Sequence, residues 1–412
     1  MSSVKALQDF DLFDPETIEN PYPFFAALRR EAPLYELPNG AYYLISRFDD
    51  VQKAVMDTDT YSSNLVAVLT QNTGAENAEL VQLSGGEAQA SDVLAIADPP
   101  RHTRQRKVSN RAFTMRRVSA MEPRIRDLAE SLIDRFDRSR PVDWVAEFAV
   151  PLPMTIIIEL LGFPREDMAR LKTLSDSSVA LLSGINTGEQ LAYHAGKINE
   201  LFQYLSEQFD RAVTDPPDNV LGDLITAFND EPEHFSRDEV VSILLQLLTA
   251  GNETTTSLIG SAMMLLLREP GLEARLRHKP ELVSPFIEEV LRLESPFHGH
   301  FRQVRRDTEV AGQALPAGSR VMLLWAGANR DERHFANADS IDLERPRPKQ
   351  HLAFGYGIHH CIGAALARME AEVAIRSVLA ASCELRLCSH NRYRHTPSLF
   401  IRSLSELWID LA

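Results

Sequence analysis

Residues 351–368, HLAFGYGIHHCIGAALAR, bring three glycines, three histidines and a cysteine together in one short stretch. Cys361 is one of only three cysteines in the chain, and it stands between a glycine-broken loop and an alanine-rich run that predicts a helix. A helix N-terminus stabilises a thiolate through its dipole and its free N–H groups. Gly355 and Gly357 allow the backbone to approach a flat ligand closely.

The residues alone leave three interpretations of Cys361 open. The first is a buried structural cysteine, which is a common environment for a free thiol. The second is a zinc site with His359 and His360, although adjacent ligands rarely converge on one ion and no second ligand pair follows at finger-like spacing. The third is a thiolate ligand of haem iron, for which Gly363 would keep the space beside the sulfur free.

The segment FGYGIHHCIG, Phe354 to Gly363, fills every fixed position of Phe-Gly-x-Gly-x-His-x-Cys-x-Gly and so resembles the haem-binding signature of cytochromes P450. The resemblance covers essentially the whole chain and is closest to the soluble bacterial class. It implies haem b (iron protoporphyrin IX), Cys361 as the axial iron ligand, and cofactor contacts from Phe354, Gly355, His359 and Gly363. It also implies a mainly α fold with small β-sheets, in which the haem lies between a long central helix and the cysteine loop.

The sequence predicts that long helix over 237–268. Ser236 and Glu239 form a capping-box pair, and the helix must end before Pro270. It is apolar on nearly all sides, so it should be central and buried. Its middle nevertheless reads AGNETTT, with a glycine and β-branched residues that helix interiors disfavour. Such a local conflict is expected at a functional site.

The segment AGNETT, 250–255, resembles the family's oxygen-activation motif. The resemblance implies that Ala250 contacts the cofactor, while Glu253 and Thr254 are the catalytic acid–alcohol pair that relays protons. A threonine in a helix also commonly bonds back to the preceding turn, so the residues alone leave that interpretation open. The intact pair favours a monooxygenase over an H2O2-dependent peroxygenase or a non-catalytic haem-binding protein.

The segment EEVLR resembles the family's Glu-x-x-Arg motif. Glu289 and Arg292 share a helix face, where the residues alone would also fit a surface ion pair of little energetic value. The resemblance implies a buried structural pair behind the cysteine loop, with Arg345 as its third member.

Haem carries two propionates that need cationic or hydrogen-bonding partners. The resemblance implies that His102, Arg106, Arg302 and His359 supply them. Taken one at a time, each of these residues would equally fit a solvated surface position.

The resemblance places substrate contacts in apolar regions, so we expect a largely hydrophobic small molecule. The regions are 62–98, 165–195, the helix positions Leu244, Leu247, Leu248 and Ala250, and the stretches 296–301 and 397–400. The predicted pocket residues are Leu247, Ala250, Phe297, His300 and Leu399. His298 or His300 could point into this pocket as a hydrogen-bond donor, or face the propionates or solvent instead.

The composition restricts the remaining classes. A net charge of −15 argues against non-specific nucleic-acid binding. No apolar run of about 18 residues predicts a membrane span, and the polar start lacks a signal-peptide core. Three cysteines without a paired framework favour a reducing, cytoplasmic location. No Gly-x-Ser-x-Gly elbow supports a hydrolase.

We expect a single domain over 1–412 and a monomer. Because the oxygenase fills the chain, electrons should come from a separate ferredoxin with its NAD(P)H-dependent reductase, and O2 is the co-substrate. The stretch from Arg101 to Arg117 is rich in Lys and Arg within an acidic protein. It predicts a docking patch for an acidic partner, or alternatively a solvated helix face.

The remaining secondary-structure predictions are coarse. LYELPNGAYYLIS, 34–46, predicts a β-hairpin with Asn39-Gly40 as its turn. Strand-like residues recur at 308–325 and in the last 30 residues. Helices are predicted over 104–118, 121–138, 152–162, 193–213, 279–293 and 362–381.

Overall fold

The computed structural model describes residues 5–38, 40, 42–64, 67–71, 78–82, 92–231 and 233–411, with backbone only for the two short segments 67–71 and 78–82. The described chain is mainly helical. Its helices are α1 (Pro15–Glu19), α2 (Tyr22–Glu31), α3 (Phe48–Met56), α4 (Arg101–Ala112), α5 (Met115–Ile133), α6 (Pro151–Leu161), α7 (Met168–Leu181), α8 (Gly188–Ala212), α9 (Val220–Asp230), α10 (Arg237–Arg268), α11 (Leu272–His278), α12 (Val283–Leu293), α13 (Trp325–Ala328) and α14 (Ala364–Ala381).

The strands form small sheets. They are β1 (Leu34–Glu36), β2 (Tyr43–Ile45), β3 (Tyr61–Ser62), β4 (Ala67–Gln71), β5 (Ala78–Gln82), β6 (Val142–Asp143), β7 (His300–Val304), β8 (Thr308–Val310), β9 (Gln313–Leu315), β10 (Arg320–Leu323), β11 (Leu385–Leu387) and β12 (Trp408–Leu411). The largest sheet has the order β1-β2-β10-β7-β3, and a second has the order β11-β12-β6. Two separate ribbons pair β4 with β5 and β8 with β9.

The predicted hairpin is confirmed, because β1 and β2 pair antiparallel with Leu34 opposite Ile45. Its turn residue Asn39 lies outside the described residues. The mainly α fold with small sheets is confirmed as well.

Several helix boundaries differ from the sequence predictions. The break predicted near 119–120 lies instead at 113–114, where the Thr114 side chain accepts a hydrogen bond from the Arg117 N–H and caps α5. The helix then continues through Pro123, which the prediction had placed near a helix start. A π-helical turn, Val145–Ala149, leads into α6. The single helix predicted over 279–293 is instead a 3-10 turn, Pro280–Leu282, followed by α12.

The long helix α10 follows its prediction, with reciprocal capping-box hydrogen bonds between Ser236 and Glu239. Its first half, up to Leu248, packs into a core formed with α4 and α6–α9, whereas Leu258 and the residues that follow pack into a core with α5, α12 and α14. Residues 249–257, which include AGNETT, belong to neither apolar cluster. The helix therefore presents a polar middle between two apolar, buried ends.

None of the helices in the described part of the chain combines the length and the apolar character that crossing a bilayer requires.

Candidate active site

The loop before α14 holds Cys361 in a closed turn. The Cys361 N–H donates to the Phe354 carbonyl at 2.8 Å, which joins the two ends of the loop. Gly355 and Gly357 both adopt left-handed backbone angles, with φ of +66° and +68°, so side chains there would be strained. A Cβ on Gly363 would lie 4.0 Å from the Cys361 sulfur. Gly355 and Gly357 thus serve the turn itself, whereas a side chain on Gly363 would be in ordinary van der Waals contact with the sulfur.

The surroundings of the Cys361 sulfur act on its pKa in opposite directions. Although the residue is exposed overall, desolvation of the sulfur raises the pKa of the thiol. The backbone N–H groups of Gly363 and Ala364 and the guanidinium groups of Arg106 and Arg368 lower it. These are the donors of a helix N-terminus and two cations, which all favour the thiolate form.

Basic and imidazole side chains gather beside this loop. The rings of His102 and His359 lie with their centroids 4.2 Å apart. The His359 Nε2 pairs with the Ser63 hydroxyl at 2.9 Å, whereas His359 Nδ1 and His102 Nε2 are buried without a partner among the described residues. Arg302 is buried, and its guanidinium donates to the Phe301 carbonyl at 2.7 Å.

The electrostatics of this cluster show an excess of positive charge. Burial lowers the pKa of Arg302 to about 10 against an opposing effect of Asp98. Burial lowers the pKa of His359 to about 2, and repulsion from Arg302, His102, His300 and Arg106 acts in the same direction. Asp98 is itself bound by the Ser62 hydroxyl, the Ser63 N–H and Arg305.

Arg106 is placed differently from the other predicted propionate partners. Its guanidinium donates to the His360 carbonyl at 2.6 Å and to the Asn110 side chain at 3.0 Å. It therefore ties α4 to the cysteine loop while remaining close enough to contribute to the positive field at His359.

The middle of α10 places its acid and alcohol in different surroundings. The Thr254 hydroxyl donates to the Ala250 carbonyl at 2.8 Å, so the back-bonding that the residues alone left open is present. Glu253 Oε2 lies 3.9 Å from the Lys172 ammonium of α7, and Ser403 also hydrogen-bonds the carboxyl. Burial raises the pKa of Glu253, and Lys172 lowers it. Lys172 is a neighbour that the sequence did not indicate.

The Glu289 carboxylate is the centre of a buried ion-pair network. It accepts from Arg292 at 2.8 and 2.9 Å and from Arg345 at 2.8 and 3.2 Å. The remaining Arg292 donors reach the carbonyls of Asn329, Ala338 and Ser340. The network fastens α12 to the segment that leads into the cysteine loop, and its full burial differs from the surface pair that spacing alone allowed.

The two histidines of SPFHGHF point in different directions. His298 is buried, its Nδ1 pairs with the Leu399 carbonyl at 3.0 Å, and its ring meets Phe25 edge-on. His300 instead stacks on Phe297 with ring centroids 4.6 Å apart. On β7 it shares a face with Arg302, two residues along the strand.

The predicted pocket residues come from several elements. Leu247 of α10 is buried, whereas Ala250 is exposed. Leu399 packs in one cluster with Phe297, and its N–H donates to the Ser183 carbonyl just after α7. A Cβ on Gly184 would lie 3.0 Å from Leu399 and 2.8 Å from Phe400. The 165–195 and 397–400 regions therefore touch, while much of 62–98 lies outside the described residues.

Comparison with known proteins decides the family. Residues 61–400 match the family model described as Cytochrome P450. This chain is a cytochrome P450. It is 35% identical over 397 residues to Cytochrome P450 144 of Mycobacterium tuberculosis, covering 96% of this chain and 90% of that protein. It is 34% identical over 408 residues to a vitamin D(3) 25-hydroxylase of Pseudonocardia autotrophica, covering 98% and 97%.

Solved P450 structures share the fold along nearly the whole chain. Cytochrome P450 CYP109Q5 from Chondromyces apiculatus superposes with a TM-score of 0.84 at 36% identity, covering 98% of both chains. The predicted P450 family and fold are confirmed. The protein is accordingly a haem-thiolate monooxygenase that uses haem b, O2 and a small-molecule substrate.

The residues present fit this cofactor. In the part of the chain that the structure describes, imidazole nitrogens that are buried without a partner, and the Arg302 guanidinium with its single carbonyl bond, suit a ligand with two carboxylates. The glycine-rich turn holds Cys361 at the start of α14, and the N–H groups and cations around its sulfur favour a thiolate. The zinc interpretation finds no support, since no group of three or more metal-binding side chains occurs among the described residues.

Proposed function

We propose that this P450 is a ferredoxin-dependent monooxygenase of a hydrophobic small molecule, with Cys361 as the iron ligand. When bound, a haem with a thiolate ligand activates O2 for insertion of one oxygen atom into a C–H bond or a double bond. The single observation that carries the proposal is the Cys361 sulfur, which faces helix N–H groups and two guanidinium groups beside a cationic cluster.

The remaining roles follow from the geometry. His102, Arg302 and His359 would bind the propionates, and Arg106 would act from its contact with the cysteine loop. Glu253 and Thr254 would be the acid–alcohol pair that relays protons. Burial raises the pKa of the Glu253 carboxyl, which favours its protonated form, and the Thr254 hydroxyl donates to the Ala250 carbonyl.

The Glu289–Arg292–Arg345 network would keep the cysteine loop in place. It acts through the segment between α12 and the loop, because Arg292 and Arg345 both bond backbone carbonyls within residues 329–340.

The substrate should be large and mostly apolar. Leu247, Phe297 and Leu399 are hydrocarbon surfaces, and His300 stacks on Phe297 instead of standing free. Related P450s point in the same direction: one relative is a vitamin D(3) 25-hydroxylase, and CYP109E1 of Bacillus megaterium is known in complex with testosterone. Titration with steroids and long-chain fatty acids, followed by the shift of the haem absorbance, would separate these classes.

Electrons would arrive at the face formed by α4 and the cysteine loop. Of the cations between Arg101 and Arg117, Arg101 pairs with Glu239 and Arg117 with Asp223. Lys107, Arg111 and Arg116 are exposed, and no ion pair joins them to a carboxylate in the part of the chain that the structure describes. These three cations are available to an acidic ferredoxin.

The charge reversals Lys107→Glu and Arg111→Glu test this assignment. We expect the KM for an acidic ferredoxin to rise by roughly tenfold, and the effect to shrink at high salt. Arg386→Glu, an exposed cation on β11, is the matched control. Unchanged ferredoxin kinetics in both variants would remove the docking proposal. Efficient product formation with H2O2 alone would favour the peroxygenase alternative.

A single domain over 1–412, a monomeric state and a cytoplasmic location complete the proposal. Sedimentation of the purified, haem-loaded protein would test the monomer.

A further inference from the structure

Two adjacent carboxylates on α12 are buried and point to different partners. Glu289 serves Arg292 and Arg345, as described above. Glu288 instead accepts from His351 Nε2 at 2.9 Å and from Arg368 at 2.7 and 3.1 Å. The Glu288 and His351 side chains are almost fully buried, and that of Arg368 is 16% exposed. The Glu-x-x-Arg motif does not include this second network.

The hydrogen bonds of His351 fix its tautomer. The backbone N–H of Ala353 donates to His351 Nδ1 at 3.2 Å, so this nitrogen must carry a lone pair. The proton therefore lies on Nε2, which donates to Glu288. Burial also lowers the pKa of His351 despite the neighbouring carboxylate, which agrees with a neutral ring. His351 orients Glu288 without adding charge.

Arg368 connects Glu288 to the cysteine loop. Its guanidinium lies 4.4 Å from the ring centroid of Phe354, whose carbonyl accepts the Cys361 N–H. Its positive charge also favours the thiolate form of Cys361. The same cation is therefore in contact with Glu288 on one side and with the loop that carries the sulfur on the other.

The network is balanced in charge. His351 and Arg368 hold the pKa of Glu288 at about 2 against the opposing effect of burial, so the carboxylate is ionised at neutral pH. One anion and one cation, both largely removed from water, form a pair whose cation acts on the Cys361 thiol. Because charges interact strongly in such surroundings, removing either one should change the electrostatic potential at the sulfur.

We infer that Glu288, His351 and Arg368 form a positioning network that sets the electron donation of the Cys361 thiolate and thereby the reduction potential of the bound iron. The inference rests on the proposed function, since it requires Cys361 to be the iron ligand. Glu288 and Arg368 act on the iron in opposite senses: the cation stabilises the reduced state, and the carboxylate offsets the cation.

Two substitutions that each remove one charge test the sign of the shift in reduction potential. Glu288→Gln keeps an acceptor for Arg368 but removes the negative charge, so the reduction potential should become more positive. Arg368→Met removes the positive charge and leaves Glu288 uncompensated, so the potential should become more negative. The double variant removes both charges and should return towards the wild-type potential.

Matched controls lie on the same helix. Glu372 and Arg376 form a more exposed pair on α14; at 1.5 Å per residue they lie about 6 Å and about 12 Å beyond Arg368 along the helix axis. Glu372→Gln and Arg376→Met change the same charges away from the thiolate and should leave the potential unchanged. Arg368→Lys keeps the positive charge but loses the bidentate contact with Glu288, so it should shift the reduction potential less than Arg368→Met.

The potential is measured by spectroelectrochemical titration of each haem-loaded variant, after its ferrous–carbonyl spectrum has confirmed thiolate ligation. Opposite shifts in Glu288→Gln and Arg368→Met support the inference. Shifts in the same direction, or shifts no larger than those of the control variants, would overturn it and indicate a structural network only. If Glu288→Gln does not fold, the reduction potential of Arg368→Met is compared with that of Arg376→Met. A more negative potential in Arg368→Met supports the inference, and an equal or more positive one overturns it. Absence of thiolate ligation in the wild type would instead contradict the proposed function itself.

Discussion

Arg302 is a buried cation whose guanidinium bonds only a backbone carbonyl among the described residues. A buried cation with so few partners is costly unless an anion joins it. Its neighbours His102 and His359 present further buried nitrogens that no described residue hydrogen-bonds. We therefore expect Arg302 to contribute strongly to haem retention through a propionate.

Arg302→Met should accelerate haem loss by roughly ten- to hundred-fold, as a charge-assisted hydrogen bond is worth about 1.5–3 kcal/mol. Transfer of haem to an excess of apomyoglobin measures the rate. Arg305→Met is the control, since Arg305 is half-exposed and pairs with Asp98. Equal loss rates in the two variants would show that Arg302 does not bind the cofactor.

Glu370 on α14 should make stability depend on pH. Burial raises its pKa to about 8, and its Oε2 has no hydrogen-bond partner within the described part of the chain. Because the folded pKa lies above the ordinary value, the folded state binds more protons, and stability is lost as pH rises from about 4.5 to 8. At about 1.4 kcal/mol per pKa unit, the loss is at most roughly 5 kcal/mol.

Glu370→Gln removes this titration. Thermal unfolding of both proteins between pH 5 and 8 should show the wild type losing stability relative to the variant as pH rises. A difference between the two that stays constant with pH would mean that Glu370 does not carry the raised pKa.

At the scale of elements, the Glu289 network joins α12 to the segment before the cysteine loop. Glu289→Ala would leave Arg292, which is fully buried, without its counter-ion. Breaking such a pair costs about 3–5 kcal/mol, whereas an exposed pair contributes at most about 1 kcal/mol. Denaturant unfolding of Glu289→Ala and of Glu344→Ala, which affects the exposed pair with Arg275, measures the contrast. Similar losses in both variants would contradict the role of the network.

The elements that could be predicted from sequence are those with a strong local signal. Helix α10 has a capping box at its N-terminus, a proline beyond its C-terminus and a long apolar run between them. Its bounds in the structure, Arg237–Arg268, equal those predicted from the sequence. Helix α7 has a serine-rich sequence, MARLKTLSDSSVAL, without such signals, and the sequence predictions include no helix there. Short helices such as α3 owe their stability to packing against the sheet, which sequence reasoning over local windows does not capture.

At the scale of the whole molecule, sequence motifs indicated the cysteine loop and the Glu289–Arg292–Arg345 network, but other contacts between distant segments came only from the structure. The approach of Lys172 to Glu253 and the bonds of Glu288 to His351 and Arg368 depend on helix packing. Likewise, spacing could not separate His298 from His300, because the direction of each depends on the pairing of β7 with β10 and on Phe25.

The central claim is that Cys361 binds haem iron as a thiolate. The most direct measurement is the difference spectrum of the purified protein, reduced with dithionite under carbon monoxide. Thiolate ligation by Cys361 predicts the long-wavelength Soret band from which the P450 family takes its name, and the loss of that band in Cys361→Ser. A short-wavelength band in the wild type, or an unchanged spectrum in Cys361→Ser, would contradict thiolate ligation by this residue.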